Sequence, residues 1–166
     1  MMRSRLAFWL TAFALAALLS ACGFALRGQY LLPFNSVFVS TPGGSVVASE
    51  LKRELANVPT TVMPSPKDAD AQLNIIEDRR DRQILTLSSA GRVREYDLKL
   101  RVVYQLIDGK GSVLIPTSEI QLSRILSYDD SRIIAKQQEE ALLYQDMERD
   151  AVAQILRRMT AIKRPA

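Results

Sequence analysis

The sequence has 166 residues, of which 48% are hydrophobic and 24% charged, a composition typical of one globular domain. Its 22 basic and 18 acidic residues give a formal net charge of +4, which falls to about +2 without Arg3 and Arg5, because we predict that their segment is removed. So balanced a charge argues against nucleic-acid binding, and the absence of histidine removes the commonest general base and transition-metal ligand.

The amino terminus has the features of a lipoprotein signal. Arg3 and Arg5 precede an apolar run over 6–19, which fits a signal peptide and is shorter than the ~20 residues of a membrane span. The letters LSAC, ending at Cys22, then resemble the lipobox of bacterial lipoproteins. The resemblance implies cleavage before Cys22, a diacylglycerol on its sulfur and an acyl chain on its new amino group. The alternative is a buried or free thiol beside an uncleaved helix.

Such an anchor predicts both a location and a domain organisation. Two or more acyl chains hold a protein stably on a membrane, since each buried methylene contributes ~0.8 kcal/mol. Gly23 stands where an aspartate would resemble an inner-membrane retention signal, so the resemblance implies the inner leaflet of the outer membrane, facing the periplasm. We predict a cleaved signal peptide over 1–21, a lipidated tether over 22–34 and one domain over 35–163.

The first predicted elements of that domain are a strand and a helix. The letters NSVFVS over 35–40 have the β-branched and aromatic content of a strand, which the following TPGG stops. Apolar residues then recur every four positions from Val47 to Leu55, which predicts an amphipathic helix from Ser45 towards Pro59. Three prolines between 59 and 66 predict a loop.

Three long strands are predicted next. The segment 71–89 contains two apolar runs around the charged letters EDRRDR, which we interpret as one kinked strand rather than two pieces. A turn at 89–91 leads into a strand in which every even position from Tyr96 to Leu106 is apolar or aromatic. The letters DGKG then predict a hairpin, and Pro116 predicts an edge position or a bulge for the returning strand.

The last predicted element is a long amphipathic helix. Asp129, Asp130 and Ser131 are candidate caps, and apolar residues follow helical spacing to about Thr160. That predicted stripe comprises Ile133, Ile134, Leu142, Leu143, Met147, Ala151, Ile155, Leu156 and Met159. The order strand, helix, three-strand meander, helix predicts an α+β two-layer sandwich with a mostly antiparallel four-stranded sheet. Both helices would cover one face, leaving the other polar and open.

No residue pattern indicates an enzyme. The chain has no histidine, no Gly-rich phosphate loop and no spaced set of metal ligands, and its one thiol is assigned to lipid. Helix capping accounts for Asp129 and Asp130, and a solvated helix face accounts for Glu139 and Glu140. We therefore predict no catalytic residue, no metal and no cofactor beyond the covalent lipid.

The basic residues are more informative. Arg92 and Arg94 flank a turn and share the parity of the apolar stripe that starts at Tyr96, so a cationic tip would continue into an apolar surface. A ligand with phosphates beside acyl chains would suit this arrangement, because the arginine fork binds phosphate. Three further arginines precede the turn: Arg79, Arg80 and Arg82. The alternative is a solvated hairpin end with salt bridges to Asp78, Asp81 and Glu95.

Together these features resemble the LptE family, the small lipoproteins of the outer-membrane lipopolysaccharide translocon. The resemblance rests on Cys22 followed by Gly, Phe, Leu and Arg, on GRVREYDLKLRVVYQL, and on RIIAKQQEEALLYQDMERDAVAQILRRM. It implies the fold predicted above, a plug inside the large β-barrel LptD, assistance in assembling that barrel, and binding of lipopolysaccharide. The runner-up hypothesis is a generic envelope scaffold, barrel-assembly or peptidoglycan-associated, without a glycolipid site.

The resemblance also implies where lipopolysaccharide binds. Contacts in the family involve basic residues at a strand tip and at the start of the last helix. Lys136 occupies the matching helix position, whereas the tip has Ser89 where a basic residue can occur, with Arg92 just beyond it. The candidate lipopolysaccharide-binding residues are therefore Arg92, Arg94 and Lys136.

Overall fold

The structure is a computed structural model that describes residues 30–41 and 43–162. The predicted lipid-attachment residue Cys22, the signal peptide and most of the tether lie outside the described residues. The elements are β1 (Ser36–Ser40), α1 (Val46–Leu55), β2 (Thr61–Met63), β3 (Ala71–Leu87), β4 (Val93–Asp108), β5 (Val113–Ser127) and α2 (Ile133–Thr160). Single turns of 3-10 helix occupy Pro66–Asp68 and Asp130–Arg132.

The strands form one mixed sheet in the order β2-β1-β3-β4-β5. β1 runs parallel to both β2 and β3, whereas β3, β4 and β5 form the predicted antiparallel meander. The α+β class is confirmed, but the prediction of a mostly antiparallel four-stranded sheet is wrong in strand number and direction. The missing strand, β2, lies in the proline-rich segment interpreted as a loop. Its three residues fit between Pro59 and Pro64, and the Thr61 amide donates to the Asn35 carbonyl at 2.9 Å.

The core lies between one face of the sheet and the two helices. Even positions of β4 point into it, and Leu98, Val102, Tyr104 and Leu106 are fully buried, as the alternation predicts. α1 contributes Val47, Ala48, Leu51 and Leu55 and packs against α2. Aliphatic burial of this kind contributes about 1.5–3 kcal/mol per large side chain.

Bulges shift the pairing register within the meander. β3 is one continuous strand, as predicted, with a register shift between Ile75 and Glu77. A one-residue insertion exchanges the faces of a strand, so Leu73 points to the core before the bulge while Arg80 points to α2 after it. β5 is the predicted edge strand, and the pairing shifts near Pro116. That proline is tolerated because the ladder is already interrupted there.

The last helix has the predicted bounds but not the predicted burial. Its buried residues run from Tyr144 to Met159, whereas Ile133, Ile134 and Leu142 are 49%, 74% and 61% exposed. A helix of 28 residues is about 42 Å long, and only its second half covers the aliphatic part of the sheet. The first third of the predicted stripe is therefore a surface of the protein rather than part of its core.

Two capping arrangements fix the helix starts. Ser45 caps α1 by accepting from the Ala48 amide at 2.9 Å, and Asp78 on β3 accepts from the Ser45 hydroxyl at 2.7 Å and from the Val47 amide at 3.2 Å. Asp129 caps the 3-10 turn before α2 rather than α2 itself, through the amide and hydroxyl of Ser131. The strongest cap thus ties α1 to the middle of the sheet.

Candidate functional site

The described residues contain neither a cluster of metal ligands nor a membrane-spanning helix. Within 30–41 and 43–162 no group of three or more acidic, cysteine or histidine residues could hold a metal ion. No helix in that part of the chain is long and apolar enough to cross a membrane. The candidate arginines lie on the surface around the β3–β4 turn.

The β3–β4 turn presents both candidate arginines to solvent. The Ser88 amide donates to the Arg92 carbonyl at 2.7 Å, and Gly91 has a φ of +74°, a conformation that favours glycine. Arg92 and Arg94 are exposed, and among the described residues neither has a carboxylate within ion-pair distance. The salt bridges that the alternative hypothesis requires at this hairpin end are therefore not formed by these two side chains.

The arginines line a cavity between the turn and the start of α2. This cavity has a volume of about 410 Å³ and is bounded by Arg92 and Arg94 on one side and by Tyr128, Asp129 and Ser131 on the other. The Tyr128 amide donates to the Arg94 carbonyl at 2.7 Å, which ties the end of β5 to the tip. Hydrogen bonds from Ser131 hold the pKa of Asp129 below its usual range, with the charges of Arg132 and Arg94 adding to the effect.

The predicted continuation of the arginine positions into the apolar stripe is interrupted. Thr86 pairs with Glu95, but Leu87 pairs with Val93, so Arg94 is an extra residue in β4. A bulge at this point breaks the two-residue alternation that extends from Tyr96. The apolar surface beside the tip comes instead from β3 and from the start of α2.

That apolar surface consists of exposed aliphatic side chains. On β3, Ile84, Leu85 and Leu87 are 58%, 46% and 58% exposed, and the first third of α2 adds Ile133 and Ile134. Large exposed aliphatic groups close to a cationic turn favour an amphiphilic ligand over a purely polar one. We call the residues 84–94 and 128–136 the distal surface.

Lys136 lies on α2, one turn past the cavity, and is not among the residues that line it. Its ammonium pairs with Glu139 at 2.7 Å, and its side chain is 18% exposed. Of the three candidate residues, Arg92 and Arg94 therefore line the same cavity. Lys136 lies outside that cavity, near the start of α2.

The preceding arginines do not extend the tip. Arg80 pairs with the buried Glu148 and lies 5.1 Å from the ring centre of Tyr144; Arg82 pairs with Glu140 at 3.0 Å. Both therefore face α2, and the predicted partners Asp78, Asp81 and Glu95 are not used. Desolvation raises the pKa of Glu148 while the Arg80 charge opposes it. The sequence signal that predicts this layer is Glu148, a glutamate next to Met147 inside the apolar stripe of α2.

The opposite face of the sheet is polar. Arg101 of β4 pairs with Glu77 of β3 and with Glu119 of β5 at 2.8 Å, and its hydrogen bonds lower the pKa of Glu119 to about 2. A groove of about 420 Å³ runs across this face, lined by Arg79, Lys99 and neighbouring amide side chains. No helix covers it within the described residues, so this open face meets solvent.

Comparisons with known proteins give a consistent result. The family model described as "LptE: Lipopolysaccharide-assembly" matches residues 32–159. A solution structure of an uncharacterized lipoprotein B from Nitrosomonas europaea is 40% identical, covers 84% of this chain and 91% of that chain, and has a TM-score of 0.73. The search of curated proteins found no match.

Two more distant structures share the fold. The rare lipoprotein B from Shewanella oneidensis is 24% identical over 76% of this chain and 95% of that chain, with a TM-score of 0.64. A minor lipoprotein from Acinetobacter baumannii is 23% identical over 81% of this chain and all of that chain (100%), with a TM-score of 0.63. At these identities the likeness supports the architecture alone.

Proposed function

The chain belongs to the LptE family of lipopolysaccharide-assembly lipoproteins, and from this premise we propose that it binds lipopolysaccharide at the distal surface during delivery to the cell surface. We further propose that it plugs the β-barrel LptD, helps to assemble it, and is anchored in the outer membrane through lipid on Cys22. The proposed role is non-catalytic. Each part rests on different residues, so each has its own test.

The observation that carries the ligand proposal is the juxtaposition at the β3–β4 turn. Two exposed arginines without ion-pair partners among the described residues line one cavity, and exposed aliphatic groups lie on the adjoining strand and helix. The planar guanidinium fork matches phosphate oxygens, and the aliphatic groups suit acyl chains. Lipopolysaccharide carries both chemical groups in one molecule.

The test compares charge reversals at opposite ends of the sheet. Arg92→Asp combined with Arg94→Asp should weaken lipopolysaccharide binding at least about tenfold, because repulsion replaces two charge-assisted hydrogen bonds. Lys110→Asp, in the exposed β4–β5 turn, is the matched control and should bind normally. Lys136→Asp should have a smaller effect, since that lysine already pairs with Glu139. Equal binding by all variants, with unchanged circular dichroism, would remove the assignment of the ligand site to these residues, whereas no binding by the wild type would favour the generic scaffold.

The open face supports the plug proposal. Barrel lumens are lined with polar side chains, so a polar surface suits insertion better than an aliphatic one. The face is already organised by ion pairs centred on Arg101. Purification of the chain from outer membranes should recover one large β-barrel in equal amount, and recovery without such a partner would contradict the proposal.

The anchor proposal depends on the only cysteine in the sequence. Cys22→Ser should abolish metabolic labelling by fatty acids, because the sequence has no other cysteine to carry the lipid. Continued labelling of that variant would show that the lipid lies elsewhere.

A further inference from the structure

The groove on the open face lies between two long side chains of β4 that lean apart. Lys99 leans towards the β3–β4 turn, where its ammonium donates to the Gln83 side chain at 2.9 Å. Arg101 leans the other way, towards Glu77 and Glu119. Positions 99 and 101 are roughly 7 Å apart along the strand. The divergence of their side chains leaves the volume of about 420 Å³ that forms the groove.

The walls of this groove are polar. β3 contributes Arg79 and Asp81 to one wall, and β5 contributes Gln121 and Ser123 to the other. The floor includes the β4 backbone at Leu100, whose side chain is fully buried on the core side. Among the described residues, no aliphatic side chain of the open face lines the groove. It therefore offers hydrogen bonds and charge but no surface for an acyl chain.

One charge in the groove has no counter-charge. Arg79 stands directly opposite Arg101 in the β3–β4 register, and like charges in that position destabilise a sheet. Two glutamates compensate Arg101, whereas the exposed Arg79 has no carboxylate within ion-pair distance in the part of the chain that the structure describes. The nearby Asp81 instead accepts from the Gln83 side chain at 3.0 Å. A negative charge from outside the chain would therefore balance this wall.

We propose that the groove is the docking site for an acidic side chain, Asp or Glu, on the lumen wall of the β-barrel partner. The inference rests on the proposed plug function and names the contact that holds the open face. A carboxylate that enters the groove meets the planar fork of Arg79, which can donate two parallel hydrogen bonds to its oxygens. A pair enclosed by groove walls is less screened by water than a pair on a flat surface, so it contributes more to binding.

The lining favours a protein carboxylate over a glycolipid phosphate. The phosphates of lipopolysaccharide arrive together with acyl chains, which need aliphatic contacts. Such contacts are exposed at the distal surface and do not line the groove. An Asp or Glu side chain brings a single negative charge on a short stem, which matches one unpaired guanidinium between two polar walls.

The first test measures how much β-barrel copurifies with the tagged full chain from detergent-solubilised outer membranes, in cells that also express the untagged chain. Arg79→Glu should lower this amount at least about fivefold, because repulsion replaces a charge-assisted pair. Arg79→Lys keeps the charge and should retain most of the barrel. Arg149→Glu, exposed on α2, is the matched control and should recover as much barrel as the wild type does. Circular dichroism of each variant reports the fold.

The second test identifies the chemistry of the partner residue. A carbodiimide joins an amine directly to a carboxylate as an amide, and Arg79→Lys supplies an amine at the groove wall. Complexes of this variant should yield, by mass spectrometry, a cross-linked peptide between position 79 and an Asp or Glu of the barrel. Arg149→Lys supplies an amine on the helix side and should give no such product at position 149.

The outcomes separate this inference from the plug proposal. Equal recovery of the barrel by the wild type and Arg79→Glu would overturn the inference and leave the plug proposal standing. A wild type that recovers no barrel would overturn both. Equal losses for Arg79→Glu and Arg149→Glu would show that net charge decides, and would overturn the inference. A carbodiimide product that joins position 79 to a glycolipid phosphate would overturn it as well.

Discussion

Near the β4–β5 turn, helix and sheet meet through aliphatic side chains: Leu73, Leu106 and Ile155 are all fully buried. Towards the β3–β4 turn, Arg80 and Arg82 lie between the same two layers beside the buried Leu98 and Leu126. These arginines stack on tyrosine rings and pair with α2 carboxylates. We call these regions the proximal half and the distal half. Aliphatic burial stabilises a fold strongly, whereas partly exposed ion pairs contribute little.

The proximal half supplies most of the aliphatic core, and the distal half carries most of the exposed apolar side chains near the cationic turn. Stability is not uniform across a domain, and segments with few buried apolar contacts open at lower free energy. In the proximal half the aliphatic side chains are buried in the core. In the distal half Ile84, Leu87 and Ile134 stay exposed. These exposed side chains can therefore contact a ligand without loss of core packing.

The largest expected effect comes from truncating matched leucines on the two helices. Leu51→Ala on α1 removes a fully buried side chain and should lower the free energy of unfolding by about 2–5 kcal/mol. Leu142→Ala on α2, where the side chain is 61% exposed, should change it by less than about 0.5 kcal/mol. Urea unfolding followed by circular dichroism measures both. Similar losses would show that the distal half contains a core.

The next largest effect concerns the arginine layer. Arg80→Ala leaves the 4% exposed Glu148 without its partner and should cost about 1–3 kcal/mol, the penalty of an unsatisfied buried polar group. Arg82→Ala is the matched variant, and should cost at most about 1 kcal/mol because its partner Glu140 is more exposed. The same unfolding measurement distinguishes the two variants. A larger loss for Arg82→Ala than for Arg80→Ala would show that the Arg80–Glu148 pair is not the important one in this layer.

A pH series isolates Glu148. Burial raises its pKa in the folded state, so the native protein binds this proton more tightly than the unfolded chain does. The wild type should therefore lose stability relative to Glu148→Gln as the pH rises above the ordinary glutamate value of 4.5. A constant difference between the two proteins from pH 4 to 7 would contradict the assignment.

The smallest expected effect concerns Glu119 on the open face, and its pH dependence has the opposite sign to that of Glu148. The Arg101 hydrogen bond lowers the pKa of Glu119 to about 2, so the stability it contributes is present above about pH 4.5 and lost as the pH falls towards 2. Glu119→Gln should be less stable than wild type at neutral pH and equal to it at the acid end. In an Arg101→Met background the difference should shrink at every pH, as a double-mutant cycle would show.

Much of the fold could be predicted because its signals are local. The alternation from Tyr96 to Leu106 follows from the two-residue period of a strand, and the extent of α2 follows from helical spacing. The β2 strand could not be predicted from the sequence, because three residues are too few to show a two-residue alternation. The prolines on either side of it also indicate a loop. Its pairing with β1 spans 25 residues of sequence, from Ser36 to Thr61, which no local pattern encodes.

The candidate site was predictable only in part. That Arg92 and Arg94 lie beside a turn follows from Gly91 and the strand that comes after it. That Arg80 and Arg82 turn towards α2 depends on the bulge after Ile75, which exchanges the faces of β3. A bulge is set by pairing with the neighbouring strand, so a single strand's composition does not reveal it.

The lipobox resemblance, the meander with its hairpin turns and a final helix ending near 160 are all readable from the sequence, because each depends on residues adjacent along the chain. Which side chains of those elements are buried depends on how the elements pack in three dimensions. The apolar stripe of α2 is continuous in sequence, yet Tyr144 onwards is core while Ile133 and Ile134 are surface. Helical spacing shows which face of a helix is apolar, whereas burial requires a second layer packed opposite that face.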